Sequence, residues 1–211
     1  MERIRIHYTK GKVLRYTGTL DVQKIWERTI RRAHLPLVYS QGFHPQARIN
    51  QGAPLPLGLT SSHEIIDLWL EGENLDLNSI ASSVKNTLPP GMNLINIASI
   101  PLSEPSLPTQ IIAAEYCAQL LENIFPEELT RRVTSLMSAD SLSRIWKGKT
   151  YDLRPLIESL SVVHNTGENP ALEMRLSLRS GATGRPEEVL AAMNLDPNQA
   201  RIERKSMIFR V

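Results

Sequence analysis

Cysteine is nearly absent from the sequence, which has only Cys117 among its 211 residues. One thiol cannot form an intramolecular disulfide, and it cannot supply a zinc ribbon or a protein-ligated iron–sulfur cluster. Radical chemistry run by a cluster within this chain is therefore excluded. Cys117 lies in a segment with the pattern of a strand, where we expect a buried and unreactive thiol.

Long hydrophobic runs are absent as well. No stretch approaches the roughly 20 apolar residues that a membrane helix needs. The N-terminus shows no apolar signal segment behind a basic start. We therefore expect a cytoplasmic protein that has no membrane partner. The apolar fraction of 41% and the charged fraction of 22% are ordinary for a chain with a folded core, which excludes global disorder.

Recognisable catalytic motifs are missing too. The sequence has no G-x-S-x-G nucleophile elbow, no Walker phosphate loop and no G-x-G-x-x-G after a strand. Its histidines are not spaced with Cys, Asp or Glu as metal ligands on a helix or strand would be, so we predict no metal site. His44, in a loop flanked by glycine and proline, is the one candidate for acid–base catalysis. The sequence favours a chain without activity of its own and leaves the question open.

Charge, by contrast, is present and unevenly distributed. Residues 1–48 contain ten Lys and Arg against three Asp and Glu, a net charge of +7, whereas residues 49–211 contain 14 against 19, a net charge of −5. A basic N-terminal segment joined to an acidic remainder indicates an anionic partner for the first 48 residues. Nucleic acid is the commonest such partner.

The first hundred residues alternate between strand and helix patterns. Apolar and basic residues alternate from Arg3 to Tyr8, as in a half-buried strand. Apolar residues with helical spacing run from Leu20 to Leu35, and a basic stripe lies on the opposite side. A short strand at 37–40, an extended ribbon rich in Gly and Pro, a strand at 64–70, a helix at 75–88 and a strand at 92–100 follow. This order predicts a β-α-β-β-α-β module over residues 1–103.

A proline-rich linker is predicted at 104–109, and a second module of the same kind at 110–211. Its expected strands lie near 111–121, 143–147, 157–163, 172–178 and 202–211, with helices at 126–137 and 186–193. The sequence thus predicts an α+β protein made of two tandem ferredoxin-like modules with antiparallel sheets. Arg154-Pro155 and Arg185-Pro186 are interpreted as parts of turns, because Glu187 and Glu188 would repel an anion at the second pair.

Cations and aromatic side chains occur together in the basic segment, as they do in proteins that bind phosphates and stack on unpaired bases. Arg3 and Arg5 on the first strand are expected to point away from Ile4 and Ile6 and to add to this surface. The alternative interpretation is that the stripe is only the solvated side of an amphipathic helix. The predicted nucleic-acid-binding residues are Lys12, Arg15, Tyr16, Lys24, Arg28, Arg31, Arg32, Tyr39, Phe43, His44 and Arg48.

The run Tyr39-Ser40-Gln41-Gly42-Phe43-His44-Pro45 is the most distinctive motif of the sequence. This run and several shorter stretches resemble an uncharacterised bacterial family described as radical SAM-linked or radical SAM-associated proteins. Two departures are present: Gly18-Thr19 stands where relatives tend to have Ser-His, and His44-Pro45 where many have Asn-Pro. The other matching stretches are Leu14-Arg15-Tyr16, Leu20-Asp21, Leu35-Pro36-Leu37, Pro54-Leu55-Pro56-Leu57-Gly58, Ala114-Glu115-Tyr116, Asp152-Leu153-Arg154-Pro155 and the segment from Arg185 to Leu190.

The resemblance implies a non-catalytic helper of a radical SAM protein, with RNA or a ribosomal component as its target. It implies no cofactor in this chain, so that the iron–sulfur cluster and SAM would belong to the partner enzyme. Together with the basic segment, it predicts an accessory protein that binds or presents RNA. Two alternatives stay open: a protein–protein adaptor that binds no nucleic acid, and a metal-independent endoribonuclease or RNA-modifying enzyme that uses His44.

Overall fold

The structure, a computed structural model, describes residues 1–146, 148–163 and 169–210. The chain divides into two compact units, Met1–Ile111 and Ile112–Val211. Each unit combines helices with antiparallel strand pairs, so the predicted α+β class is confirmed. No helix among the described residues is long and apolar enough to cross a bilayer.

The first unit contains four strands and three helices. In chain order they are β1 (Glu2–Lys10), α1 (Thr19–Arg32), β2 (Ile49–Gln51), β3 (Thr60–Leu70), α2 (Leu77–Thr87), β4 (Met92–Ile100) and α3 (Leu107–Gln110).

The sheet of this unit has the order β4-β1-β3-β2, and its neighbouring strands are antiparallel. Ile6 of β1 lies opposite Ile66 of β3, and this register directs alternate residues of both strands to the same side of the sheet. Trp26 and Ile30 of α1 pack against that side and are fully buried. The apolar periodicities in the sequence therefore meet in one core.

The segment predicted as a linker contains α3 and lies against the first unit. Leu107 is fully buried. The guanidinium of Arg3 donates hydrogen bonds to the backbone oxygens of Glu104, at 2.7 Å, and of Pro105, at 2.8 Å. The proline-rich composition gave no indication of these contacts, because they depend on a strand about a hundred residues earlier.

The second unit contains two helices and the strands that follow α3, the first of which begins at the boundary residue Ile111. In chain order they are β5 (Ile111–Leu120), α4 (Pro126–Met137), β6 (Ser143–Trp146), β7 (Lys149–Asp152), β8 (Ile157–Val163), β9 (Ala171–Arg179), β10 (Ala182–Thr183), α5 (Pro186–Ala192) and β11 (Ala200–Phe209).

β9 lies between β5 and β8 in this unit, and β11 lies on the other side of β5. β6 and β7 form a separate hairpin, and the two-residue β10 pairs with the end of β9. The sequence did not predict β7 or β10, which are short and lack an alternating pattern. In the first unit it placed a strand at 37–40, but Leu37 and Tyr39 form only isolated bridges, and β2 at Ile49–Gln51 takes the edge of the sheet instead. Lys147, in the strand predicted at 143–147, and Val211, at the end of the last one, lie outside the described residues.

Candidate nucleic-acid interface

Helix α1 has a buried side and a basic side. Val22, Trp26 and Ile30 recur at helical spacing and are buried against the sheet. Lys24 and Arg28 are on the opposite side and exposed, and two more arginines occupy the last turn. Cations at a helix C-terminus also interact favourably with the helix dipole, so part of this charge stabilises the helix itself.

A surface depression of about 550 Å³ is lined by Arg28, Arg31, Arg32 and His34. We call these four residues together with Lys24 the α1 basic face. Arg32 is tied down, since its Nη2 donates to the backbone oxygen of Thr87 at 2.9 Å. In the described part of the chain, no carboxylate lies within ion-pair distance of Arg28 or Arg31. The α1 basic face is therefore available to an external anion.

The loop with the distinctive sequence motif is anchored to α1. The hydroxyl of Tyr39 donates to Oε1 of Glu27 at 3.2 Å, and Tyr39 is half-buried. Burial is the largest cause that raises the pKa of Tyr39. The Glu27 carboxylate raises it further, and Arg31 lowers it. The tyrosine thus fixes the base of the loop beside the α1 basic face.

The tip of this loop is exposed, although its two ends are joined. We call residues 40–46 the aromatic loop. Its ends are joined because the Ser40 amide donates to the Gln46 carbonyl at 2.8 Å and the Gln46 amide donates to Oγ of Ser40 at 2.9 Å. Phe43 is fully exposed and His44 is exposed. The acid–base role considered for His44 gains no support, since no described residue hydrogen-bonds to its ring.

Arg15 and Tyr16 lie together just before the N-terminus of α1. The Arg15 guanidinium stacks 5.5 Å from the centre of the Tyr16 ring, and its Nε donates to the backbone oxygen of Gly58 at 2.5 Å. The Tyr16 side chain is 77% exposed, and Lys12 is also exposed. The structure therefore places a cation–aromatic pair just before the N-terminus of α1, whereas the aromatic loop is joined to that helix at Glu27.

Arg48 has a different environment from the other predicted binding residues. Its guanidinium stacks 4.5 Å from the centre of the Trp69 ring on β3, and its Nη1 lies 3.6 Å from the sulfur of Met1. Arg48 does not line the depression on α1. We therefore do not include it in the α1 basic face.

Arg3 and Arg5 do not contribute to an exposed basic surface, contrary to the expectation from the alternating pattern. Both are buried, and both donate to the fully buried carboxylate of Asp67, at 2.6 Å from Arg3 and 2.8 Å from Arg5. Lys10 is buried as well. Three of the ten cations in residues 1–48 are thus inside the protein, because β3 places a carboxylate opposite two of them.

A histidine pair that the sequence did not predict lies on the same strands. Nδ1 of His7 and Nε2 of His63 are 2.7 Å apart. The pKa of His7 is lowered to about 4, mainly by burial and to a smaller extent by His63 and Arg5. Because the two residues are 56 positions apart, local spacing could not have revealed the pair. In the part of the chain that the structure describes, no group of three or more metal-binding side chains is present.

In the second unit, the motif residues have structural roles. Arg154 donates to the backbone oxygens of Met137 and Ile157, and the Arg185 guanidinium lies 4.0 Å from the centre of the Trp146 ring. These contacts agree with the interpretation of both Arg-Pro pairs as parts of turns. Cys117 is half-buried, and burial raises the pKa of its thiol. A thiol with a raised pKa is a poor nucleophile at neutral pH.

The fold and this surface define an α+β protein with a basic, partly aromatic face on its first long helix. The chain belongs to the bacterial family described as "Uncharacterized protein conserved in bacteria (DUF2344)", whose model matches residues 3–186. No protein of curated function matches the chain. The family match does not itself establish an association with a radical SAM enzyme.

Two solved structures show weak likenesses. One, titled "Crystal Structure of a Cbf5-Nop10-Gar1 Complex", aligns with 98% of this chain and 48% of its own chain, at 8% identity and a TM-score of 0.49. The other, a "putative glycine cleavage system transcriptional repressor", aligns with 99% of this chain and 98% of its own, at 7% identity and a TM-score of 0.26. This chain therefore spans about half the length of the first. Neither likeness carries an argument about function.

Proposed function

We propose that this protein binds RNA through the α1 basic face and acts as a non-catalytic accessory protein. The observation that carries the proposal is that Arg28 and Arg31 line one depression and have no acidic partner within ion-pair distance among the described residues. Exposed cations that converge on one surface are what the phosphate backbone of a nucleic acid requires.

Other features of the first unit support the same proposal. Apart from Arg48, the cations of residues 1–48 that remain exposed lie along α1 and just before it, whereas Arg3 and Arg5 pair internally with Asp67. An exposed aromatic side chain, Tyr16, precedes that helix, and another, Phe43, lies on the loop that Tyr39 joins to it. An amphipathic helix that needed only solubility would carry acidic residues among its basic ones, but the one acidic residue between Lys24 and Arg32, Glu27, is half-buried and accepts a hydrogen bond from Tyr39.

The test is a comparison of RNA affinity between two triple variants. We expect Lys24→Ala/Arg28→Ala/Arg31→Ala to weaken binding of a labelled RNA of about 12 nucleotides by roughly tenfold or more at low salt, measured by fluorescence anisotropy. The matched control is Arg131→Ala/Arg179→Ala/Arg201→Ala, which removes the same charge from exposed positions in the second unit. This control should bind as the wild type does.

Two results would contradict the proposal. The first is an equal loss of affinity in both triple variants, because binding would then depend on net charge and not on the α1 basic face. The second is an absence of RNA binding by the wild-type protein at low salt. In that case the remaining cationic surface would favour an acidic protein partner, which is the adaptor function.

We further propose that the chemistry belongs to a partner, a radical SAM protein that carries the iron–sulfur cluster and SAM. The resemblance in the motifs around Tyr39 to Pro45 supports this, as does the single cysteine of the chain. Anaerobic affinity purification should recover a protein with a SAM-binding cluster before and after nuclease treatment. Recovery only before nuclease treatment would mean that RNA bridges the two proteins, and no recovery at all would contradict the partnership.

The finer architecture is also a proposal: each unit is a ferredoxin-like module. The strand order β4-β1-β3-β2 of the first unit supports it, and so does the order β11-β5-β9-β8 of the second. In the second unit the β6–β7 hairpin would be an insertion. An experimental structure with another strand order in either unit would contradict this assignment.

A further inference from the structure

We infer that the preferred ligand of the α1 basic face is an unpaired strand, with one base stacked on Phe43 and another on Tyr16. This inference rests on the proposed function and adds the class of nucleic acid to it. The juxtaposition that carries it is a cationic helix side with the exposed Tyr16 ring just before its N-terminus and with the loop that displays Phe43 joined to it at Glu27.

Phe43 is displayed on a loop whose backbone is restrained. The aromatic loop is joined at Ser40 and Gln46 and is fixed to α1 through Tyr39 and Glu27. Nevertheless, the Phe43 side chain is fully exposed, although a large apolar ring usually finds some cover in a folded protein. A fully exposed ring on a loop that is anchored to the basic helix is suited to stacking on a base.

Tyr16 is displayed in a similar way just before the N-terminus of α1. Its ring lies near Gly58, where a built Cβ would be 4.0 Å from Cε1 of Tyr16, and Arg15 stacks 5.5 Å from the ring centre. Arg15 is itself held by the Gly58 carbonyl. The Tyr16 side chain is nonetheless 77% exposed. Tyrosine and arginine planes of this kind are common platforms for splayed bases.

The remaining tyrosines of the basic segment are not platforms. Tyr8 is buried, and its ring packs edge-on against Trp26 at 4.9 Å between centres. Tyr39 is half-buried and its hydroxyl is engaged by Glu27, so it positions the aromatic loop and does not bind a base. Of the three tyrosine and phenylalanine residues predicted to bind nucleic acid, Tyr16 and Phe43 are therefore the stacking platforms and Tyr39 is not.

The cations of α1 lie along a helix that Tyr16 precedes and that Tyr39 joins to the aromatic loop at Glu27. A helix of 14 residues is about 21 Å long, and Lys24, Arg28 and Arg31 follow one another along its exposed side. An unpaired strand can direct its phosphates to these cations while bases at its ends stack outward. A duplex keeps its bases stacked internally, so it would meet only the cations.

The test compares a single strand with a duplex of the same sequence. We expect Phe43→Ala and Tyr16→Ala each to weaken single-strand binding by roughly 5- to 150-fold while duplex binding is unchanged. Phe43→Trp should retain the affinity, and its added fluorescence, measured against the wild-type background, should be quenched by the single strand. The matched control is Phe125→Ala, which removes an aromatic ring that is 78% exposed in the second unit.

The outcomes separate this inference from the proposed function. If the two aromatic variants bind the single strand as tightly as wild type, while the Lys24/Arg28/Arg31 variant binds weakly, the stacking inference is wrong and the α1 basic face stands. An equal loss for single strand and duplex also overturns the stacking inference, because it indicates damage to the surface as a whole. If the wild-type protein binds neither nucleic acid, both proposals fall.

Discussion

Asp67 shows how one buried residue can determine the role of the residues next to it. Its carboxylate is fully buried and accepts hydrogen bonds from Arg3 and Arg5 on the adjacent strand. A buried charge is tolerated only where it is paired and hydrogen-bonded, so the three side chains depend on one another. Two arginines that look like binding residues in the sequence are therefore part of the interior.

Replacing Asp67 by Asn should destabilise the protein strongly. The change leaves two buried guanidinium groups without a countercharge, which typically costs about 3–5 kcal/mol. Urea denaturation followed by circular dichroism would measure the difference in the free energy of unfolding. Asp140→Asn, at an exposed position, is the control and should change it by less than about 0.5 kcal/mol. A change at Asp67 as small as that of the control would contradict the structural role.

His7 should make the stability of the protein depend on pH. Its pKa in the folded state is about 4, below the ordinary 6.5, because it is buried and lies near His63 and Arg5, whose effect exceeds the opposing one of Asp67. Between these two values the unfolded chain binds more protons than the folded one, so stability decreases as the pH falls from about 6.5 toward 4. Thermal unfolding at several pH values should show that His7→Gln weakens this dependence. His44→Gln, in the exposed loop, should leave it unchanged.

Residue-level inferences from the sequence were sound where a side chain acts alone and incomplete where it has a distant partner. The exposure of Lys24 and Arg28 followed from helical periodicity, because their side chains point to solvent. The burial of Arg5 and the pairing of His7 with His63 did not, because both depend on the register between β1 and β3.

At the scale of elements, α1 begins without a side-chain cap. Gly18 is the N-cap residue, with extended backbone angles and no capping hydrogen bond. A hydroxyl at this position could accept a hydrogen bond from a free amide of the first turn. Serine would also lose less conformational entropy than glycine on folding.

We therefore predict that Gly18→Ser stabilises the protein by about 0.5–1 kcal/mol. A built Cβ at Gly18 meets only ordinary contacts, 3.7 Å from Oδ2 of Asp21 and 3.9 Å from Cδ2 of Leu57. Gly11→Ser is the comparison. We expect it to destabilise the protein, because a Cβ at this position would lie only 3.3 Å from the backbone oxygen of Gly91. Differential scanning calorimetry of both variants would test the opposite signs, and a lower melting temperature for Gly18→Ser would refute the capping argument.

Elements with a strong periodic pattern agree closely between sequence and structure. The helix Pro126–Met137 and the strand Met92–Ile100 have the expected bounds. Both carry an uninterrupted pattern and are delimited by proline or glycine nearby. The strand Lys149–Asp152 was not expected, because it is stabilised by pairing with Ser143–Trp146 and not by an apolar face of its own.

For the whole molecule, the charge distribution predicts how RNA binding responds to salt. Each cation that contacts a phosphate releases counterions, and for single strands the slope of log K against log salt is about −0.7 per contact. The Lys24/Arg28/Arg31 variant should therefore have a slope about two units shallower than that of the wild type. Anisotropy titrations over a range of salt concentrations would measure it. An unchanged slope would mean that these cations do not contact phosphates.

The sequence by itself determined the α+β class, most helices and strands, and the basic character of the first 48 residues. These properties follow from local periodicity and composition, which each segment carries with it. Only the tertiary structure decided which cations remain available, because Arg3 and Arg5 on β1 are buried in ion pairs with Asp67 on β3. It also placed the aromatic loop beside α1 through the hydrogen bond that the Tyr39 hydroxyl donates to Glu27. Pairing between distant strands and loops creates such contacts, and no local pattern records them.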